Sequence, residues 1–196
     1  TVIACLVLVV KKMPLLKPRR EDWKLQRDDV MEHLNLGMPM GFQMSIIAIG
    51  TLVLQYAING LGSEAVASFT AGSRVEGLAM TPLQAFGIAI ATYVAQNRGA
   101  GQWARIRKGV SQTAYLSLAV SVTVGVACIV WGKSMVRAFA GGDEHADAII
   151  DQAHILLVVS GLCFTSLGLL FVFRSALQGL GHSGVPTLSG VAELVL

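Results

Sequence analysis

Charge is what this sequence has least of. Lysine, arginine, aspartate and glutamate make up 14% of its 196 residues, against about 25% in an ordinary soluble domain. That density is too low for the surface of a soluble domain. Paired cysteines are missing too. Cys5, Cys128 and Cys163 lie singly in apolar runs with no C-x-x-C pair, which reads as packing rather than a disulfide framework or a metal site. No signal-peptide layout precedes the first apolar run, "TVIACLVLVV", and the chain closes in another, "TLSGVAELVL"; both ends read as cut from a longer protein. Nor is there the short alternation of ~10-residue strands that a membrane barrel needs.

What is present is apolar length. Hydrophobic residues make up 54% of the chain, with 21 glycines among them, the composition of a polytopic membrane protein. Membrane spans must satisfy their backbone groups internally, so these runs are expected to be helices. The expected spans are 37–58, 65–96, 110–138, 147–178 and 186–196. Residues 1–10 read as the end of an earlier span. The fold class is all-α, a polytopic membrane helix bundle.

Basic residues are placed unevenly. They concentrate in 11–36 and in "NRGAGQWARIRKG" (97–109), which contains no acid. The opposite turns, 59–64 and 133–151, hold Lys133 and Arg137 against Glu64, Asp143, Glu144, Asp147 and Asp151. The basic segments are therefore expected on the cytoplasmic side. Arg105, Arg107 and Lys108 fit this topology signal and contact with anionic lipid better than nucleic acid. Trp23, among mixed charges in 18–36, suits a short surface helix at the headgroup level.

The stretch "GLGHSG", Gly179 to Gly184, matches G-x-G-x-x-G and contains G-x-S-G. A dinucleotide fingerprint needs a strand before it, and here the preceding residues belong to an apolar span. A serine hydrolase reading needs a histidine beside Ser183. His154 lies about 40 Å away along the same helix at 1.5 Å per residue, and His182 sits in the turn. The glycines instead read as the end of one helix, with Pro186 starting the next.

Several motifs occur in order: the G-x-P in "LNLGMPMGFQMS", the AVA after a short turn in "NGLGSEAVASFTAGSRVEG", the Q-N-x-G-A-G in "VAQNRGAGQ", and R-x-x-L-Q-G-x-G in "FRSALQGLGHSG". Together they resemble the MATE family of multidrug and toxin extrusion transporters, over residues 35 to 196. The resemblance implies twelve helices in two lobes, with this chain holding the end of helix six, a cytoplasmic inter-lobe loop over 11–35, and a partial carboxy-terminal lobe over 36–196. It implies a transporter rather than an enzyme, in the inner (cytoplasmic) membrane, acting as a monomer and without a cofactor. Drugs or organic cations would leave in exchange for Na+ or H+. In one branch of the family a Glu in helix seven and an Asp in helix ten hold the coupling ion. Ile47 and Leu167 stand at those positions here, so that ion site is not carried over. A lipid-linked oligosaccharide flippase of related architecture is the alternative, and an intramembrane hydrolase using Ser183 a more distant one.

The polar residues inside the spans are the candidate pathway. Charges at membrane depth cost about 2.5–3.5 kcal/mol each on insertion scales. Arg74 and Glu76 flank a wedge of roughly 160° that holds Thr70, Ser73, Thr81 and Gln84. It is expected to face inward, onto the lobe interior or a central cavity, with Glu76 attracting cations or protons. Alternatively Arg74 or Glu76 pairs with Glu193 or Arg174 to hold helices together. In the first span Thr51, Gln55 and Asn59 form a stripe with Gln43 deeper, suited to a drug cavity or to interhelical hydrogen bonds. Met38, Met40, Met44 and Met80 could form an adaptable apolar wall. Gly161, Thr165 and Gly168 read as close helix contacts. Glu144, His145, Asp147, Asp151 and His154 resemble a metal cluster, but acids at a helix start have an ordinary explanation.

Overall fold

The computed structural model describes residues 26–140, 146–182, 184–186 and 188, and its elements are all helices. Four are long: α1 (Arg27–Asn59), α2 (Ser63–Gly99), α3 (Trp103–Ala140) and α4 (Ala146–Gly179). Each is long and apolar enough to cross a membrane, as expected for a multi-pass membrane protein. With 33 to 38 residues they measure about 50–57 Å at 1.5 Å per residue, well beyond a hydrocarbon core of about 30 Å. Their ends therefore project past the core, or the helices tilt.

Two starts differ from expectation. α1 begins at Arg27 rather than 37 and continues through Pro39, so part of the expected surface segment is one helix with the span. α3 begins at Trp103 rather than 110, so most of the basic connection is helical. Charge opposes burial in lipid, but arginine and lysine are good helix formers. The expected span boundary marks where the helix can enter hydrocarbon, not where it starts. Residues 1–25, the acidic turn 141–145 and most of the expected fifth span lie outside the described residues, as do Trp23, Ser183 and Glu193.

The helix ends explain the glycine motifs. Gly101 has φ +68°. Its N–H bonds the Arg98 carbonyl at 3.0 Å, and the Gln102 N–H bonds the Asn97 carbonyl at 2.8 Å. Gly181 has φ +72°, with Gly181 N–H on the Gln178 carbonyl at 2.9 Å and His182 N–H on the Leu177 carbonyl at 3.0 Å. Both are Schellman caps, which need a left-handed residue that only glycine adopts at little cost. "GLGHSG" is thus the stop of α4, and the strand that a dinucleotide site requires is a membrane helix.

The chain divides into two compact units, Thr1–Met38 and Pro39–Leu196. The second holds a bundle in which α2, α3 and α4 pack on one another. α3 and α4 run antiparallel. Arg137 pairs with Asp147, Lys133 with Asp151 at 2.7 Å, and His154 Nε2 meets the Ile129 carbonyl at 2.9 Å. Deeper, Gly125 and Gly161 let the backbones touch: a Cβ on Gly125 would stand 2.5 Å from the Gly161 carbonyl oxygen. Gly168 packs on Ser117 and Ser121 one level further. Gly161 and Gly168 are therefore close contacts, as their spacing suggested. α2 and α4 run parallel, with Gly72 against Ala153 and Leu156, Gly87 against Ser175, and Gly179 against Ala91. Small residues at such crossings replace the hydrophobic drive that lipid removes. Between them lies an apolar core containing Val75, Leu83, Cys128, Val136, Leu157 and Phe164. Met80 packs on this core, while Met38, Met40 and Met44 are exposed along α1. The expected methionine wall is therefore divided between two places.

Candidate functional site

On α2 the buried positions are Ser68, Ala71, Gly72, Val75, Leu83, Gly87, Ile90, Val94 and Asn97. They recur at helical spacing and form the face that meets α3 and α4. Glu76 lies at the border of this face. Its Oε1 accepts a hydrogen bond of 2.9 Å from Ser160 Oγ on α4. At 1.5 Å per residue Glu76 lies about 20 Å along the axis from the start of α2, deep in the span. Oε2 has no hydrogen-bond partner among the described residues.

The rest of the expected wedge is on the other side. Thr70, Arg74, Thr81 and Gln84 are all exposed and fall within about 80° of one another on the helix, opposite the buried face. The wedge expected to face inward as one surface is therefore split. Glu76 turns toward α4, and Arg74 turns away from the bundle. Small and apolar side chains already fill the contact face, which leaves no room there for a guanidinium. Among the described residues neither Arg74 nor Glu76 belongs to an ion pair, and Glu76 meets Ser160 in place of the expected pairing with Arg174. Glu193, the other expected partner, is outside the described residues. Arg174 is half-buried on α4 and lines a groove of about 300 Å³ with Ser166, Phe173 and Pro186.

The hydroxyls on this exposed side are satisfied locally. Thr70 Oγ1 donates to the Val66 carbonyl at 2.7 Å and Thr81 Oγ1 to the Gly77 carbonyl at 3.0 Å. Such back-bonding lets a hydroxyl sit on an apolar helix face without water. Arg74 and Gln84 remain as the polar groups of this face that need a hydrated or polar neighbour. In α1 the stripe behaves similarly. Thr51 Oγ1 donates to the Ile47 carbonyl at 2.9 Å, and Gln55 Nε2 donates to Asn59 Oδ1 at 3.1 Å. Gln43 is 2% exposed, the one fully buried residue of α1 among the described residues.

The apparent metal cluster dissolves into helix contacts. Asp147, Asp151 and His154 each meet α3 as described above, and the described residues contain no group of three or more ligating His, Cys, Asp or Glu side chains. Glu144 and His145 fall outside them. Ser160 is the residue that sequence reasoning missed. It lies 84 positions from Glu76, and only the parallel register of α2 and α4 brings the two together.

The MatE family model matches residues 39–196, the whole of the second compact unit. The chain is similar to "Probable multidrug resistance protein NorM" of Thermotoga maritima, 25% identical over 87% of this chain and 37% of that relative. It is 28% identical to "Probable multidrug resistance protein YpnP" of Bacillus subtilis, over 89% of this chain and 38% of the relative. A third relative, "Probable multidrug resistance protein YoeA" of Bacillus subtilis, is 22% identical over 97% of this chain and 42% of its own length. The chain thus spans about two fifths of the length of the curated relatives it matches.

Proposed function

This chain belongs to the MatE family, and on that premise we propose that it forms part of a multidrug efflux antiporter. Organic compounds, often cationic, leave the cell in exchange for Na+ or H+, by alternating access of two helical lobes around a central site. The relatives' names point to drug export; cation coupling rests on the resemblance and on the site. The observation that carries the reading is the carboxyl of Glu76, held in the span by Ser160 with no cation beside it among the described residues. A carboxyl group at that depth, met by a hydroxyl and by no counter-charge, is a place where a coupling cation can be held.

The exposed side of α2 supports the same reading. A face presenting Arg74 and Gln84 is costly against acyl chains. It is stable where it borders a water-filled path or another polar surface. The basic end of the bundle faces the cytoplasm in this proposal, and the membrane is the cytoplasmic one.

The test is Glu76→Gln in the whole protein. The amide keeps an oxygen to accept from Ser160 but removes the ionisable group. We expect normal expression and melting, with efflux of a fluorescent cation reduced to the level of cells lacking the transporter. Wild-type efflux in this variant would remove Glu76 from the mechanism. Lost expression would make its role one of helix pairing.

A further inference from the structure

We propose that the groove between α3 and α4 at the basic end of α3 is a binding site for an anionic phospholipid of the surrounding membrane. The groove encloses about 650 Å³. Val110, Ala114 and Leu118 of α3 and Leu169 and Phe173 of α4 form its apolar walls. From Ile106 to Leu118 it extends about 18 Å along the helix axis, slightly more than one leaflet of a hydrocarbon core about 30 Å thick. Its shape and lining suit an acyl chain lying along the bundle.

The charge is confined to one end, while Ser111 and Tyr115 add hydroxyls along the trough. Arg107 lines the groove directly and Ser111 lies one turn deeper. Arg105 and Lys108 flank Arg107. No acidic residue occurs from 97 to 109, and α3 has none in its first turn. Among the described residues Arg105, Arg107 and Lys108 belong to no ion pair. Trp103, 58% exposed, stands at the same end, where tryptophan marks the headgroup level. A cationic mouth above an apolar trough matches an amphiphile with an anionic head. A zwitterionic lipid would leave the cation cluster uncompensated, and free phosphate would leave the trough empty. The charge rule puts this end at the cytoplasmic leaflet, whose surface is anionic. The site is separate from Glu76 and does not depend on what the protein transports.

The experiment is a lipid titration on the whole protein, purified in detergent and read by native mass spectrometry, with phosphatidylglycerol and phosphatidylcholine as probes. We expect phosphatidylglycerol to bind in preference to phosphatidylcholine. Arg107→Gln should weaken it about five-fold, the effect of one basic residue at a membrane surface. Ser111→Trp, which fills the groove from an exposed position, should weaken it as well. As a measurement independent of those variants, tryptophan placed by Tyr115→Trp should be quenched more by brominated phosphatidylglycerol than by brominated phosphatidylcholine. One placed by Val126→Trp, away from the groove, should be quenched equally by both. Equal quenching at both positions, or unchanged binding in both variants, would reduce the interaction to the general lipid annulus. Competition by glycerophosphate as strong as by the intact lipid would make it a free-phosphate site. Either result overturns the proposal.

Discussion

Replacing Gly125 by alanine tests the packing most sharply, because it adds one methyl group at the closest helix crossing. That methyl carbon would stand 2.5 Å from the Gly161 carbonyl oxygen, where an ordinary contact is 3.4 Å or more. The obstacle is backbone, so no side chain can rotate aside. α3 and α4 must part by roughly 0.9 Å at this level, which loosens the contacts of Phe164 and Leu157 on one side and Cys128 on the other. Overpacking of this kind costs about 1–3 kcal/mol. Gly161→Ala is milder, since its Cβ would stand 3.0 Å from the Gly125 carbonyl oxygen. Gly77→Ala is the control: nothing lies within 4 Å, and alanine is the better helix former by about 1 kcal/mol in water. The assay is thermal unfolding of the whole protein in one detergent. The expected order of melting temperatures is Gly77→Ala at or above wild type, then Gly161→Ala, then Gly125→Ala lowest. A Gly125→Ala protein as stable as Gly77→Ala would refute the crossing.

The turn between α2 and α3 should distinguish conformation from contact. Gly101 has φ +68° and open space around its Cβ direction, so Gly101→Ala should destabilise by about 1–2 kcal/mol. Gly101→Asn should cost less, as asparagine tolerates the left-handed region, and the same melting assay compares the two. Arg98 donates to the Leu180 carbonyl and ties the end of α2 to the end of α4. Because Arg98 is exposed, Arg98→Ala should cost under about 1 kcal/mol. Its clearer signature is faster hydrogen exchange in the final turn of α4.

Much of the architecture was legible in the residues. Apolar runs longer than a bilayer, interrupted by glycine and charge, leave few alternatives to spanning helices, and all four described helices fall where those runs do. The glycine stop at Gly181 was readable as an end because few other residues fit a Schellman cap. The start of α3 was not, since the residues from Trp103 to Gly109 are polar enough to resemble a loop yet good enough helix formers to extend the span. The division of the polar residues of α2 between two sides was not legible for a related reason. Thr70 and Thr81 count as polar in any pattern, but each bonds its own backbone. They do not decide which way the helix turns. The small residues Ala71, Gly72 and Gly87 do, because only that face lets α4 approach. The partner of Glu76 depends on the same register. Ser160 beside Gly161 carries no signal of its own in the chain.

The central claim is that the side of α2 turned away from the bundle borders water rather than lipid, as a transport path requires. Single cysteines at Thr81 and Gln84 of the whole protein, with native cysteines replaced, test it through the rate of labelling by a charged thiol reagent in intact membranes. Val126 and Val130, exposed on the apolar surface of α3, provide the lipid-facing comparison. Labelling at Thr81→Cys and Gln84→Cys should be much faster than at either valine position and should slow when a transported cation is added. Labelling at the α2 positions no faster than at the valines would show that this side of the helix meets lipid, and would contradict the account.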